Sequence, residues 1–247
     1  EDSSTVSTAM TALKDLKNCL RRKQNPKKAK ILQQFFKTGK GEYGEGDRFY
    51  GIPVPEQRKI AKQFLNLSLR EIETILRSPF HEARLIALFL LVARYRKSDA
   101  MIQEKIYRLY LRSTRFINNW DLVDSSAAEI VGAHLFKKNK SPLTRLARSK
   151  SLWGRRIAML ATYHFIKQGD SREALRIAEI LLRDPHDLIH KAVGWMLREV
   201  GWRCSQPIEE DFLKRHAAHM QRTMLRYAIE KFPPKRRQYY LCLQSQI

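Results

Sequence analysis

The chain has 247 residues, of which 43% are hydrophobic, and it carries only 10 glycines and 9 prolines. That is enough to bury a sizeable core, and it excludes wholesale disorder or low complexity. Against 25 Asp and Glu stand 47 Lys and Arg, a net charge of +22, and such a field favours a polyanion, nucleic acid first. Cys19, Cys204 and Cys242 are odd in number and scattered, which points to a reduced cytoplasmic protein without a disulfide framework. The seven histidines are dispersed, and only His186/His190 and His216/His219 have helical neighbour spacing. No metal site and no cofactor is expected from that pattern. The longest apolar run, Leu85 to Ala93, is too short to span a bilayer, and no signal peptide is visible.

Helical periodicity dominates, and no alternating strand pattern stands out. A first helix is expected over Thr5 to Lys23, and Pro26 starts a second that runs to about Lys37. Thr38 to Pro55 is the one long irregular stretch, holding five of the ten glycines and two prolines. It lacks a Walker Lys-Ser/Thr and a preceding strand, so it reads as a structured entry loop rather than a phosphate cradle. Helices resume over Pro55 to Asn66, Ser68 to Arg77 and Pro79 to Lys97. Later ones start near Ser98, Asn119, Ser141, Trp153, Ser171, Asp187, Ile208, Met220 and Pro234. Breaks at Ser78-Pro79, Ser141-Pro142, Gly169-Asp170, Asp184-Pro185 and Pro233-Pro234 fit short helix-to-helix turns. The first residues and those after Tyr240 are expected to fray.

Five segments superimpose residue by residue: HEARLIALFLL from His81, INNWDLVDSSA from Ile117, WGRRIAMLATY from Trp153, LIHKAVGWMLR from Leu188 and TMLRYAIEKF from Thr223. Taking Arg84, Trp120, Arg156, Lys191 and Arg226 as one column, the intervals are 36, 36, 35 and 35. A fixed period of two helices is the signature of a HEAT-like solenoid. The expected architecture is therefore all-α, a single domain of about six antiparallel helix pairs forming a concave basic groove. The column four residues later holds Leu88, Asp124, Leu160, Trp195 and Glu230 and shares a helix face with the first. That face gathers Trp120, Asp124, Arg156 and Trp195, a carboxylate among cations and indoles. From Arg21 to Lys40 there are eight Lys or Arg and no acid, and from Val131 to Gly169 nine more. These blocks read as two banks of a phosphate groove, with Lys27, Lys28, Arg84, Lys150, Arg155 and Lys191 as expected DNA contacts. Phe49 and Tyr50, beside Arg48, are further candidates to touch DNA. Trp153 reads as opening a helix and packing at a repeat boundary, Trp202 as ending a helix, Tyr163, Tyr227, Tyr239 and Tyr240 as packing or rim residues, and Glu230 as an exposed surface acid.

The stretches NNWDLVDSSA, LWGRRIA and IHKAVGWMLREVG resemble the bacterial alkylpurine DNA glycosylases of the HEAT-like-repeat type, the AlkD family. The resemblance extends through most of the chain, EGDRFYGIPVPEQRK included, and departs in a longer Gly-rich loop and a higher positive charge. It implies that Asp124 is the catalytic carboxylate, that Trp120 and Trp195 flank the sugar, and that Arg156 is the basic member of the site. It also implies a monofunctional, cofactor-free enzyme acting as a monomer on double-stranded DNA that contains N3- or N7-alkylated purines, without a membrane partner. The alternative is a non-catalytic helical-repeat protein that binds damaged or distorted DNA.

Overall fold

A computed structural model describes residues 3–243, with side chains from residue 12 onward; the fraying expected of the chain ends falls largely outside that range. The protein is all-α. Among the described residues the β content is one isolated parallel bridge, Arg48 with Phe80. The chain divides into two compact units, residues 1–126 and 127–247.

The first unit contains α1 (Ser3–Arg22), α2 (Pro26–Phe35), α3 (Val54–Gln63), α4 (Leu69–Leu76), α5 (His81–Lys97), α6 (Ala100–Arg112) and α7 (Trp120–Asp124). Its starts follow from local chemistry. The Asn25 side chain caps α2 with Pro26 in the first turn. Ser68 and Glu71 close a capping box on α4, and the Asp99 carboxylate caps α6. The central run of α5, Leu85 to Ala93, is apolar on all sides, so the helix is largely buried. Twelve of its 17 residues are interior, and α3 and α4 pack against it. Each fully buried Leu, Ile or Val there contributes about 1.5–3 kcal/mol.

The second unit contains a π-helical stretch (Ala128–Gly132), α8 (Ala133–Leu135), α9 (Ser141–Ala147), α10 (Leu152–Lys167), α11 (Arg172–Leu181), α12 (Asp187–Arg203), α13 (Gln206–His216), α14 (Arg222–Ala228) and α15 (Pro234–Leu243). Helix α12 packs between α10 and α14, while α9 and α11 lie against α10, and α11 and α13 against α12. This is the layering of a helical repeat, with one long central helix per unit of sequence. The period of 35 or 36 residues is thus realised as helix pairs.

One expected element differs. The helix starting near Asn119 is only five residues long as α7, and a π-helical segment follows at Ala128–Gly132. Ser126 is the physical reason on the N-terminal side. Its hydroxyl donates to the Leu122 carbonyl at 2.6 Å and sits 3.0 Å from the Tyr110 hydroxyl, drawing a helix carbonyl into a side-chain bond.

Close helix approach in the second unit depends on glycine. A methyl at Gly194 of α12 would meet the Met224 carbonyl and the Tyr227 Cβ of α14. Alanine normally gains up to about 1 kcal/mol over glycine within a helix, but a collision with backbone outweighs that, at about 1–3 kcal/mol. Gly194→Ala is therefore expected to lower the thermal midpoint by about 2–8 °C. An unchanged or higher midpoint in a thermal melt would show that α14 can slide away freely.

Candidate active site

In the first unit the candidate site is α7. The Asn119 side chain accepts the Trp120 amide at 2.8 Å, starting a helix too short to stand on its own. Trp120 and Asp124 are both half-buried and one turn apart. The indole stacks on Phe36, with centroids 5.3 Å apart, and meets Phe35 edge-on at 6.0 Å. Phe36 in turn stacks on Phe49 and leans on His81. Asp124 lies within electrostatic reach of Tyr110. Burial raises that phenol far above its usual range, the Ser126 bond opposes the rise, and the Asp124 charge adds to it.

A buried ionic chain fixes α7 in place. His81, at the first turn of α5, bonds Asp121 of α7 through Nε2 at 2.8 Å and Asp47 through Nδ1 at 3.1 Å. Asp47 also accepts from Arg84 Nη2 at 2.7 Å. Burial alone would depress the His81 imidazole, but the two carboxylates outweigh it and hold its pKa above the ordinary value. Burial would likewise raise Asp47, and the His81 and Arg84 contacts overcome it and hold the carboxyl low. The Gly-rich stretch that supplies Asp47 is itself pinned: Glu82 accepts the backbone amides of Tyr50, Gly51 and Ile52. Gly51 is required there, because its φ is +83° and a methyl would strike the Asn25 carbonyl. The stretch is thus the structured loop expected. Cavities of about 340 and 480 Å³ flank the Tyr50–Phe80 stack, and neither is lined by Trp120 or Asp124.

In the second unit, Trp195 of α12 is half-buried, and its indole N–H donates to Glu199 at 3.2 Å. The Tyr163 ring of α10 lies 6.1 Å from it. Lys167 and Arg203 sit over Tyr163 at 5.3 and 5.5 Å, and Arg203 also bonds Glu199 at 2.6 Å. Tyr163 therefore belongs to the Trp195 cluster rather than to general packing. Its signal in the sequence is its place seven residues after Arg156, two turns along the same face. Arg156 is 5% exposed and donates to the Leu188 carbonyl at 2.5 Å, so it is an interior cation and not a surface phosphate clamp.

The cationic column is revised by these contacts. Arg84, expected to meet DNA, is 4% exposed and bonded to Asp47 and the Ser78 carbonyl. Arg155 is likewise turned inward, against Asp184 at 2.5 Å and the carbonyls of Ser149 and Lys150. Phe49, expected near DNA, is buried under Phe36 and His81. Each turns inward because an acid or a ring from a distant segment waits there. Lys27, Lys28 and Lys150 are exposed, and Lys191 is half-exposed beside Asp187 at 2.7 Å. Trp202, in the last turn of α12 as expected, is 71% exposed. Glu230 is exposed but pairs with Arg198.

These helices place the molecule among all-α repeat proteins, and its relatives define it further. Residues 16–232 match the family of DNA alkylation repair enzymes, and the chain belongs to that family. A solved structure described as a predicted DNA alkylation repair enzyme from Enterococcus faecalis shares the fold, with a TM-score of 0.67 and 18% identity over 85% of this chain and 97% of that one. No curated protein matches the chain. The described residues hold no group of three or more metal-binding side chains, and no described helix is long and apolar enough to cross a membrane.

Two expectations follow for stability. Removing Arg84 leaves Asp47 with less compensation in the interior, so Arg84→Ala should cost about 3–5 kcal/mol in a denaturant titration. It should leave the salt dependence of any DNA binding intact. The second concerns pH. His81 has a raised pKa, so its contribution is complete below about 6.5 and is lost as pH climbs through the raised value. Glu209 of α13 acts in the same direction: burial, with help from Glu210, lifts it to about 8. Ionising that carboxyl progressively weakens the fold between about pH 4.5 and 8, by about 1.4 kcal/mol per unit. Thermal midpoints should therefore fall from pH 6 to pH 9, and Glu209→Gln should flatten the fall. A variant as pH-sensitive as the wild type would show that Glu209 does not drive it.

Proposed function

We propose that this protein is a DNA glycosylase that hydrolyses the N-glycosidic bond of N3- or N7-alkylated purines in duplex DNA. The observation that carries the reading is the half-buried pair Trp120 and Asp124 on one short, rigidly held helix, in a chain belonging to a DNA alkylation repair family. An alkylated purine of this kind is already cationic, so it departs without protonation by an acid. The C1′–N bond breaks with its electron pair going to the purine nitrogen, which neutralises the base. The sugar left behind is oxocarbenium-like, as in glycoside hydrolysis. In this reading, Asp124 faces that cation and orients the water whose oxygen bonds C1′, taking up the water's proton. The faces of Trp120 and Trp195 stabilise the cationic nucleotide by about 0.5–2 kcal/mol each.

Arg156 is assigned as the basic member of the site, acting from the interior by positioning. Lys27, Lys28, Lys150 and Lys191 hold phosphates. No lysine stands beside Asp124 in the WDLVD segment, so the reaction stops at an abasic site without Schiff-base chemistry. The assigned roles rest on the periodic register of the motifs and on family membership. The protein is assigned as a cofactor-free monomer in the cytoplasm.

The test is release of 7-methylguanine from a methylated duplex by wild type and Asp124→Asn. Wild-type release reduced at least a hundredfold by the substitution, with DNA affinity unchanged, is the expected outcome. Tight binding by both proteins, with no release by either, would instead identify a non-catalytic reader of damaged DNA.

A further inference from the structure

Helix α2 has ten residues and buries none of them. A helix of that length is marginal in isolation, so its ends hold it. At the start, Asn25 caps it and its own amide donates to the Tyr50 carbonyl at 2.7 Å. Just past the end, Phe36 is driven between Phe49, His81 and Trp120. The middle of the helix is presented to solvent, and what it presents is unusual. Ile31 is 63% exposed and Phe35 60%. Lys27, Ile31 and Phe35 follow one another at four-residue spacing and form one row. The row ends at Trp120, which Phe35 meets edge-on.

Large apolar side chains left in water on a fixed element, contiguous with a candidate site, mark a surface that a partner covers. Charge selects the partner. Residues 21–40 carry eight Lys or Arg and no acid, and Lys27, Lys28 and Lys30 on this helix are exposed. Two copies of such a face repel each other, whereas a phosphate backbone is drawn to it. We propose that α2 is a DNA-inserting helix: Lys27, Lys28 and Lys30 seat on phosphates, while Ile31 and Phe35 enter the duplex as an apolar wedge beside the alkylated nucleotide. Side chains of this kind partly unstack a base step and kink the helix. Phe35 then offers a ring to the opened step while its edge supports Trp120. The inference rests on the DNA-repair reading above, and it assigns to α2 the opening of the stack near the lesion.

The experiment places 2-aminopurine next to a non-hydrolysable analogue of 7-methylguanine in a duplex and records its fluorescence on adding full-length protein. Wild type should raise the signal, because unstacking relieves quenching. Phe35→Ala should lose most of that rise and bind about tenfold more weakly, with the salt slope unchanged. Lys27→Ala combined with Lys28→Ala should do the converse, lowering the salt slope by about 0.9 for each phosphate no longer neutralised. Phe35→Leu, still apolar and bulky, should restore part of the signal, and matched thermal midpoints would show the variants folded. A wild type that binds and releases base without any rise in fluorescence overturns the wedge and leaves the glycosylase reading standing. A Phe35→Ala effect on self-association alone also overturns it, and absence of DNA binding by wild type overturns both readings.

Discussion

Two carboxylates facing one histidine hold the first unit together where it matters. His81 sits at the head of α5, Asp47 in an irregular loop and Asp121 on α7. None of these three segments is fixed to the others by regular secondary structure beyond the single bridge at Arg48. The loop has no ladder, and α7 has only five residues. Charge in a dry interior supplies what backbone pairing does not. Arg84 completes the set, bonding Asp47 beside the imidazole. Removing any one of the four leaves the others poorly compensated, since buried ions depend strongly on their partners.

The aromatic layer above this network does different work. Phe36, Phe49, His81 and Trp120 form contiguous ring contacts, a non-directional support that orients the indole without using its polar edge. Trp195 in the second unit is held differently. Its N–H is engaged by Glu199, and its ring neighbours Tyr163 under two cations. The two tryptophans stand in different columns of the repeat, Trp120 in that of Lys191 and Trp195 in that of Asp124, and have different surroundings. They are accordingly expected to contribute differently to binding a charged nucleotide.

Much of the fold was legible in the sequence because a helix writes its buried side at every third or fourth residue, and the repeat copies that writing every 35 or 36 residues. Ile86 and Ala87 of α5, Ala158 and Met159 of α10, and Val193 and Gly194 of α12 are buried at that spacing. Cation direction was not legible. Arg84 and Lys191 occupy the same column, yet one is interior and the other half-exposed. The difference is an aspartate 37 residues away in a loop without periodicity. The same holds for Arg155, whose partner Asp184 lies 29 residues on. A run of like charge reports sign and quantity, while orientation depends on long-range pairs that no local pattern contains. Adjacent residues can also diverge: Phe35 faces water and Phe36 the core, because the helix ends between them.

Because α2 is secured by Asn25 and Phe36 and buries none of its own residues, its exposed positions Lys27, Lys28, Lys30 and Ile31 carry few packing obligations. Substitutions there leave the core undisturbed, so drift can rewrite this segment while the scaffold stays constant. The helix is in effect an exchangeable cassette. A different residue at positions 27 and 31 changes the surface offered to nucleic acid, while Phe35 keeps its edge against Trp120 and so ties the row to α7.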